Sequence, residues 1–214
     1  MKQERTLSIE GKEYTLLISD EPQALLEAKA SGRAVLGCLD TGNGEGASRD
    51  FQGIPYVVPS MEYVTEELLE LILRRYLGLP WLIDETERLY IREFVKEDAE
   101  NIPEEEYGKE EEIFRDPDKL EVYIKNQYGF YEYGTWAVLK KSPSLLIGMA
   151  GVSNPNLPET ALQALPTLSD DLCWLELGYH IFKPYRKNGY ATEAAKAILS
   201  YSHEVLFCQT LRLD

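Results

Sequence analysis

Residues 173–206 read CWLELGYHIFKPYRKNGYATEAAKAILSYSHEVL. The first ten are rich in β-forming residues and alternate. Cys173, Leu175, Leu177, Tyr179 and Ile181 fall on one face, and Trp174, Glu176, Gly178, His180 and Phe182 on the other. Both faces are largely apolar, which predicts a strand interior to a sheet. A turn from Lys183 to Gly189 follows, with Lys183, Arg186 and Lys187 supplying positive charge. A helix is then expected to open at about Gly189, with Ala191, Ala194, Ala195, Ile198, Tyr201 and Val205 along one side. A helix start leaves its first N–H groups unbonded at the positive end of the helix dipole, so strand, basic glycine turn and small-residue helix can together hold a phosphate.

Upstream, the spacing predicts strands over 14–19, 34–39 and 55–60 and helices over Pro22–Ser31 and from Thr65 to about Leu77. Alternating strands and helices imply a small parallel α/β domain over residues 1–83. Its loop Thr41–Gly46 (TGNGEG) is glycine-rich but lacks the lysine of a P-loop and does not fit GxGxxG, so it reads as a connector. Past Pro80-Trp81 a strand is expected over 88–94 (RLYIREF). An acidic helical region over 95–128 comes next, broken at Pro103 and at Asp116-Pro117. Strands over 136–140 and 145–152 read as a hairpin, and a Pro/Asn-rich connector spans 153–171. The fold class implied is α/β (α+β), with a second domain over 84–214 built on a mixed sheet flanked by helices.

The 214 residues carry a formal charge of −15. That charge is uneven: residues 84–121 hold 16 acids against 6 bases, and residues 122–214 hold 8 of each. No basic stripe exists for a duplex, so nucleic-acid binding is excluded as the expected role. No apolar run is long enough to span a membrane, and the start Met1-Lys-Gln-Glu is unlike a secretory signal. Cys38, Cys173 and Cys208 are scattered without a CxxC pair, which reads as reduced, structural thiols in a cytoplasmic protein and predicts no metal site.

From Arg88 onward the order of elements is strand, helices, three strands, basic turn, helix, strand. With the residues RKNGYATEA, that order resembles the GNAT superfamily of acetyl-CoA-dependent N-acetyltransferases, nearest the branch acting on ribosomal proteins and aminoglycosides. The family motif [QR]-x-x-G-x-[GA] is matched by Arg186, Gly189 and Ala191, and the resemblance covers about residues 86–214. It implies acetyl-CoA as cosubstrate, with its pyrophosphate held by Arg186, Lys187, Asn188, Gly189, Tyr190, Ala191 and Thr192. It implies further that the pantetheine arm pairs with the backbone at about Tyr179, His180, Ile181 and Phe182. The implied reaction is direct transfer of acetyl to a primary amine of a small molecule or protein in a ternary complex.

Glu176, on the strand reaching the acetyl group, is the candidate base; His180, about 13 Å further along the strand, is expected to line the cofactor groove. Members of the family continue past the strand expected at 209–214 with another helix and two strands. The expectation is therefore of a domain truncated at that strand, or one whose sheet a second copy completes as a homodimer. A coenzyme A-binding or protein-interaction module without turnover is the alternative reading.

Residues 14–75 resemble the carboxy-terminal part of haloacid-dehalogenase-like phosphatases through Ser19-Asp20, Ala28-Lys29-Ala30-Ser31-Gly32 and the strand Ala34–Leu39. The resemblance lacks the DxDxT nucleophile segment before Ser19, and a lone Asp20 cannot run phosphoryl transfer. The first domain is therefore expected to be non-catalytic.

Overall fold

Two separate sheets hold the strands of the chain. The computed structural model describes residues 2–40, 50–104, 110–155 and 173–211. The glycine-rich loop 41–46 and most of the connector 153–171 lie outside them. The chain divides into two compact units, Met1–Trp81 and Leu82–Asp214.

In the first unit β1 (Lys2–Ile9) and β2 (Lys12–Ser19) form an antiparallel hairpin paired from Lys2↔Ser19 to Ile9↔Lys12. β3 (Ala34–Asp40) lies parallel to β2, and β4 (Val57–Ser60) parallel to β3. Helix α1 (Pro22–Ala30) packs on Leu17, Val35 and Ile54, while α2 (Glu66–Tyr76) covers Leu16, Ile18 and Leu36. The run Leu16–Ile18 is apolar and buried because helices cover both faces of the sheet there. Thr65 caps α2 by accepting from Leu68 N at 3.1 Å. Strand β1 was not expected: it is an edge strand of mostly exposed polar residues, so no apolar period marks it. Ser19 and Asp20 are both buried where β2 meets α1, and the Ser19 hydroxyl accepts from Glu21 N.

The second unit is one sheet in the order β10-β9-β8-β7-β6-β5. Its strands are β5 (Leu82–Glu85), β6 (Leu89–Arg92), β7 (Thr135–Lys140), β8 (Leu145–Ser153), β9 (Cys173–Ile181) and β10 (Cys208–Leu211). All neighbours are antiparallel except β9 and β10, which run parallel because helix α4 (Tyr190–Glu204) crosses between them. Strand β5 precedes the strand expected over 88–94 and was not itself expected; at four residues and half exposed it carries little signal.

The expected acidic helical region is a series of short pieces: turns at Lys96–Asn101 and Glu110–Phe114, then α3 (Pro117–Tyr123) running on through Tyr131. Asp116 caps α3 by accepting from Asp118 N and Lys119 N, and Pro117 stands at its first position. A chain of ring contacts, Phe94–Phe114, Phe114–Tyr123 and Tyr123–Tyr128 at 5.0–5.6 Å, fixes these pieces to one face of the sheet.

Tyr128 is fully buried, and its hydroxyl donates to Thr135 O at 2.5 Å and accepts from Phe94 N at 3.3 Å. Burial pushes this phenol well above its ordinary pKa, so it stays protonated as a donor. Tyr128→Phe leaves the part-buried Thr135 carbonyl and the buried Phe94 N–H without that partner. It should cost about 1–3 kcal/mol in urea unfolding, with the fold retained.

Helix α4 covers the opposite face, where the Trp136 ring meets Tyr201 edge-on at 5.5 Å. Its buried side is Ala194, Ala197, Ile198 and Ser202 rather than the expected stripe ending at Val205. Val205 is 53% exposed, because the chain is leaving the helix there. The packed stripe thus includes Ala197 and Ser202, which an apolar count gave little weight.

Candidate active site

The turn after β9 is built so that its carbonyls are bound from behind. Arg186 Nε donates to Ile181 O at 2.7 Å. Asn188 Nδ2 donates to the carbonyls of Tyr185 and Arg186 at 3.1 and 3.0 Å. Arg88, from the start of β6, donates through Nη1 to Asn188 O at 3.0 Å. Lys187 and Gly189 both take left-handed backbone, at φ 63° and 80°. Alternating the backbone in this way turns successive N–H groups to one side and makes a concavity for an anion.

The opposite side of the turn is open. The first backbone bond of α4 is Glu193 N to Gly189 O at 3.1 Å, and no side chain caps the helix. The N–H groups of Lys187, Asn188, Gly189, Tyr190, Ala191 and Thr192 therefore have no acceptor among the described residues. A Cβ added at Gly189 would stand 3.4 Å from Arg88 Nη2, and the positive φ there suits glycine. A short row of free donors, no side chain at the cap and a basic neighbourhood suit a phosphate or pyrophosphate.

Strand β9 leads to this turn and is paired unequally along its two edges. It pairs with β8 over Glu176–Ile181 but with β10 only over Cys173–Glu176 among the described residues. Phe182 N donates to Ile147 O next to β8. Because alternate residues of a strand turn their backbone groups to alternate edges, those of Tyr179 and Ile181 face the β10 side. The Tyr179 N–H and C=O and the Ile181 N–H have no partner there among the described residues. Of the four β9 positions expected to pair with an extended ligand, Tyr179 and Ile181 thus offer the edge. The His180 and Phe182 backbones face β8, and the Phe182 ring is buried in the core with Phe94 and Met149.

Glu176 is half-buried at the middle of β9, opposite Ser153 and Leu211, where pairing with both neighbouring strands meets. His180 lies four residues further along β9 toward the basic turn, on the same face as Phe182. Arg186 Nη2 stands 3.2 Å from His180 Nε2. A guanidinium only donates, so this ring nitrogen is the acceptor and is engaged with Arg186.

Three residues that sequence reading did not single out hold the turn in place. Glu193, in the first turn of α4, accepts from Thr86 Oγ1 at 2.6 Å, from Arg88 N at 3.0 Å and from Arg88 Nε at 2.7 Å. Burial alone would raise the Glu193 carboxyl; the bonds from Thr86 and Arg88 outweigh it and hold the group below its ordinary value. Arg88 also lies 4.6 Å from the centre of the Tyr190 ring. The signal was present as Thr86-Glu-Arg88 before a strand and an acid four residues after the motif glycine, but over a hundred residues separate the partners.

Residues 88–213 match the model of the acetyltransferase (GNAT) domain. The chain belongs to the GNAT acetyltransferase family. It is accordingly an acyltransferase, and acetyl transfer to amine acceptors is the general activity of GNAT proteins.

An acetyltransferase (GNAT family) from Bacillus anthracis is 20% identical with a TM-score of 0.40, the match covering 60% of this chain and 70% of that one. An acetyltransferase from Agrobacterium tumefaciens is 20% identical, covering 58% and 68% with a TM-score of 0.36. The ribosomal-protein-S5-alanine acetyltransferase from Vibrio fischeri is 14% identical, covering 63% and 73% with a TM-score of 0.45. No curated protein matches the chain. The GNAT match begins at Arg88, so the phosphatase-like resemblance of the first unit is left as an expectation. Among the described residues no helix is long and apolar enough to cross a membrane, and no His/Cys/Asp/Glu cluster could hold a metal ion.

Proposed function

We propose that this GNAT protein transfers acetyl from acetyl-CoA to a primary amine of a small molecule or protein, by direct attack within a ternary complex. The observation carrying this reading is the row of six N–H groups at 187–192 that have no acceptor among the described residues, on a turn whose carbonyls are bound by Arg186, Asn188 and Arg88. Those groups, with Lys187 and Arg186 beside them, would hold the pyrophosphate. The β9 edge at Tyr179 and Ile181, unpaired among the described residues, would pair with the pantetheine amides, and His180, Asn188, Tyr190, Ala191 and Thr192 shape the groove around it, with Phe182 supporting the strand end from the core.

The edge leads back along β9 to Glu176, which in this reading takes the proton of the attacking amine. The amine nitrogen bonds to the acetyl carbon as the carbon–sulfur bond breaks, and the thiolate leaves to be protonated. The substrate amine must be neutral to attack, so a carboxylate base at this position serves the step. The three scattered cysteines suit a reducing, cytoplasmic setting, and the first unit takes no part in the chemistry.

Thiol release from acetyl-CoA, followed with a panel of polyamines, aminoglycosides and amino-terminal peptides, tests the proposal. At least one amine should raise release well above the rate without acceptor. Tight coenzyme A binding with no release for any amine would instead favour a binding module without turnover.

A further inference from the structure

We infer that Thr86, Arg88 and Glu193 form a clamp that preorganises the anion-binding turn and cancels a charge that would otherwise repel the pyrophosphate. The inference rests on the coenzyme A reading above and names residues for which that reading gave no role.

The clamp joins two distant parts of the chain. Glu193 sits in the first turn of α4, where a carboxylate is favoured by the helix dipole but would stand beside the proposed pyrophosphate. An unpaired negative charge there would oppose a phosphate a few ångströms away. Arg88 meets it with a two-pronged contact, Nε at 2.7 Å and Nη2 at 2.5 Å. The Glu193 side chain is 17% exposed and the Arg88 side chain 42%, so the carboxylate is largely enclosed while water partly screens the arginine end of the pair. Thr86 Oγ1 and Arg88 N complete the shell around the carboxylate, leaving it with donors from β6 and its lead-in.

The same guanidinium also fixes the turn itself. Its Nη1 binds Asn188 O, which keeps that carbonyl turned away from the open side, and its plane lies by the Tyr190 ring. One arginine thus holds a carbonyl of the turn, the first aromatic of the helix and the first-turn acid. A donor row aimed in advance binds its anion without the cost of ordering the loop. Positioning is the role assigned: none of the three residues need touch the ligand.

The test compares two probes, coenzyme A and pantetheine, the second lacking the pyrophosphate. Dissociation constants are measured by isothermal titration for coenzyme A and by NMR titration for pantetheine. Thr86→Val and Glu193→Gln should each weaken coenzyme A about tenfold, the scale of a lost hydrogen bond to a charged group. Pantetheine binding should change little, and Thr86→Ser should restore coenzyme A affinity.

Arg88→Gln leaves the Glu193 carboxylate unpaired beside the anion, so it should weaken coenzyme A more than the Arg88→Gln/Glu193→Gln double variant does. A merely structural contact gives the opposite order, because the double variant would then be the more damaged. Equal loss of both probes, unchanged coenzyme A affinity in every variant, or a double variant weaker than Arg88→Gln overturns the clamp. If Glu193→Gln fails to fold, Thr86→Val and its Ser partner carry the test. Absence of coenzyme A binding by the unaltered protein overturns the acetyl-CoA reading itself, and is seen before any variant is made.

Discussion

Gly189→Glu is expected to weaken coenzyme A binding by at least about 100-fold while leaving the first unit folded. Three effects act together. The residue holds φ 80°, and a non-glycine side chain in left-handed backbone costs about 1–2 kcal/mol. Its Cβ would enter the cap of α4, where the free N–H groups converge, and stand 3.4 Å from Arg88 Nη2. A carboxylate there competes for Arg88 with Glu193 and adds negative charge beside the expected pyrophosphate. Coulomb repulsion between unit charges about 4 Å apart is about 4 kcal/mol near a protein surface, enough for the predicted loss. Isothermal titration measures the binding loss, and circular dichroism checks that helix content is kept. Gly189→Ala separates the parts: it retains the strain but not the charge, and should lose about tenfold.

Glu176→Gln is the second large effect. If Glu176 removes the amine proton, the amide cannot, and kcat at neutral pH should fall about 100- to 10,000-fold. The substitution keeps shape and hydrogen-bonding reach at a half-buried position between β8 and β10, so the sheet register should persist. The Kd for acetyl-CoA should stay near that of the unaltered protein, because the pyrophosphate turn lies beyond the far end of β9. The pH profile adds a second readout: the residual rate should rise further into the alkaline range, where the acceptor amine loses its proton to solvent. An unchanged kcat would remove Glu176 from the mechanism and leave it a satisfied strand residue.

The main elements of the second unit were readable because their signals are local. The ten-residue alternation of β9, the hairpin of β7 and β8 and the glycine cap of α4 each lie within one short window. The edge strands β1 and β5 were missed because edge strands are half-solvated, and exposed polar residues such as those of Lys2–Ser8 erase the apolar period. The buried stripe of α4 was misplaced by a small rotation, since Ala and Ser pack against a sheet as readily as the larger residues that mark an apolar count.

The site divides in the same way. Arg186 to Thr192 could be named because the motif is contiguous. Which backbone groups of β9 turn toward β10 could not, because that depends on the pairing phase set by β8 and by the Phe182 N to Ile147 O bond. Nor could the clamp be found, since Thr86 and Glu193 are brought together by the sheet rather than by sequence. The structure also shifts the emphasis at one expected residue. Arg186 spends its Nε on Ile181 O and its Nη2 lies against His180, so its first task is to shape the turn.

The central claim is that the N–H groups at 187–192 receive the pyrophosphate of coenzyme A. An amide-resolved NMR titration with coenzyme A tests it most directly. The account predicts the largest downfield amide shifts at Lys187 to Thr192, a second group at Tyr179 and Ile181, and little change along β2 and β3 of the first unit. Shifts centred elsewhere, with the 187–192 amides unmoved at saturating ligand, would contradict it.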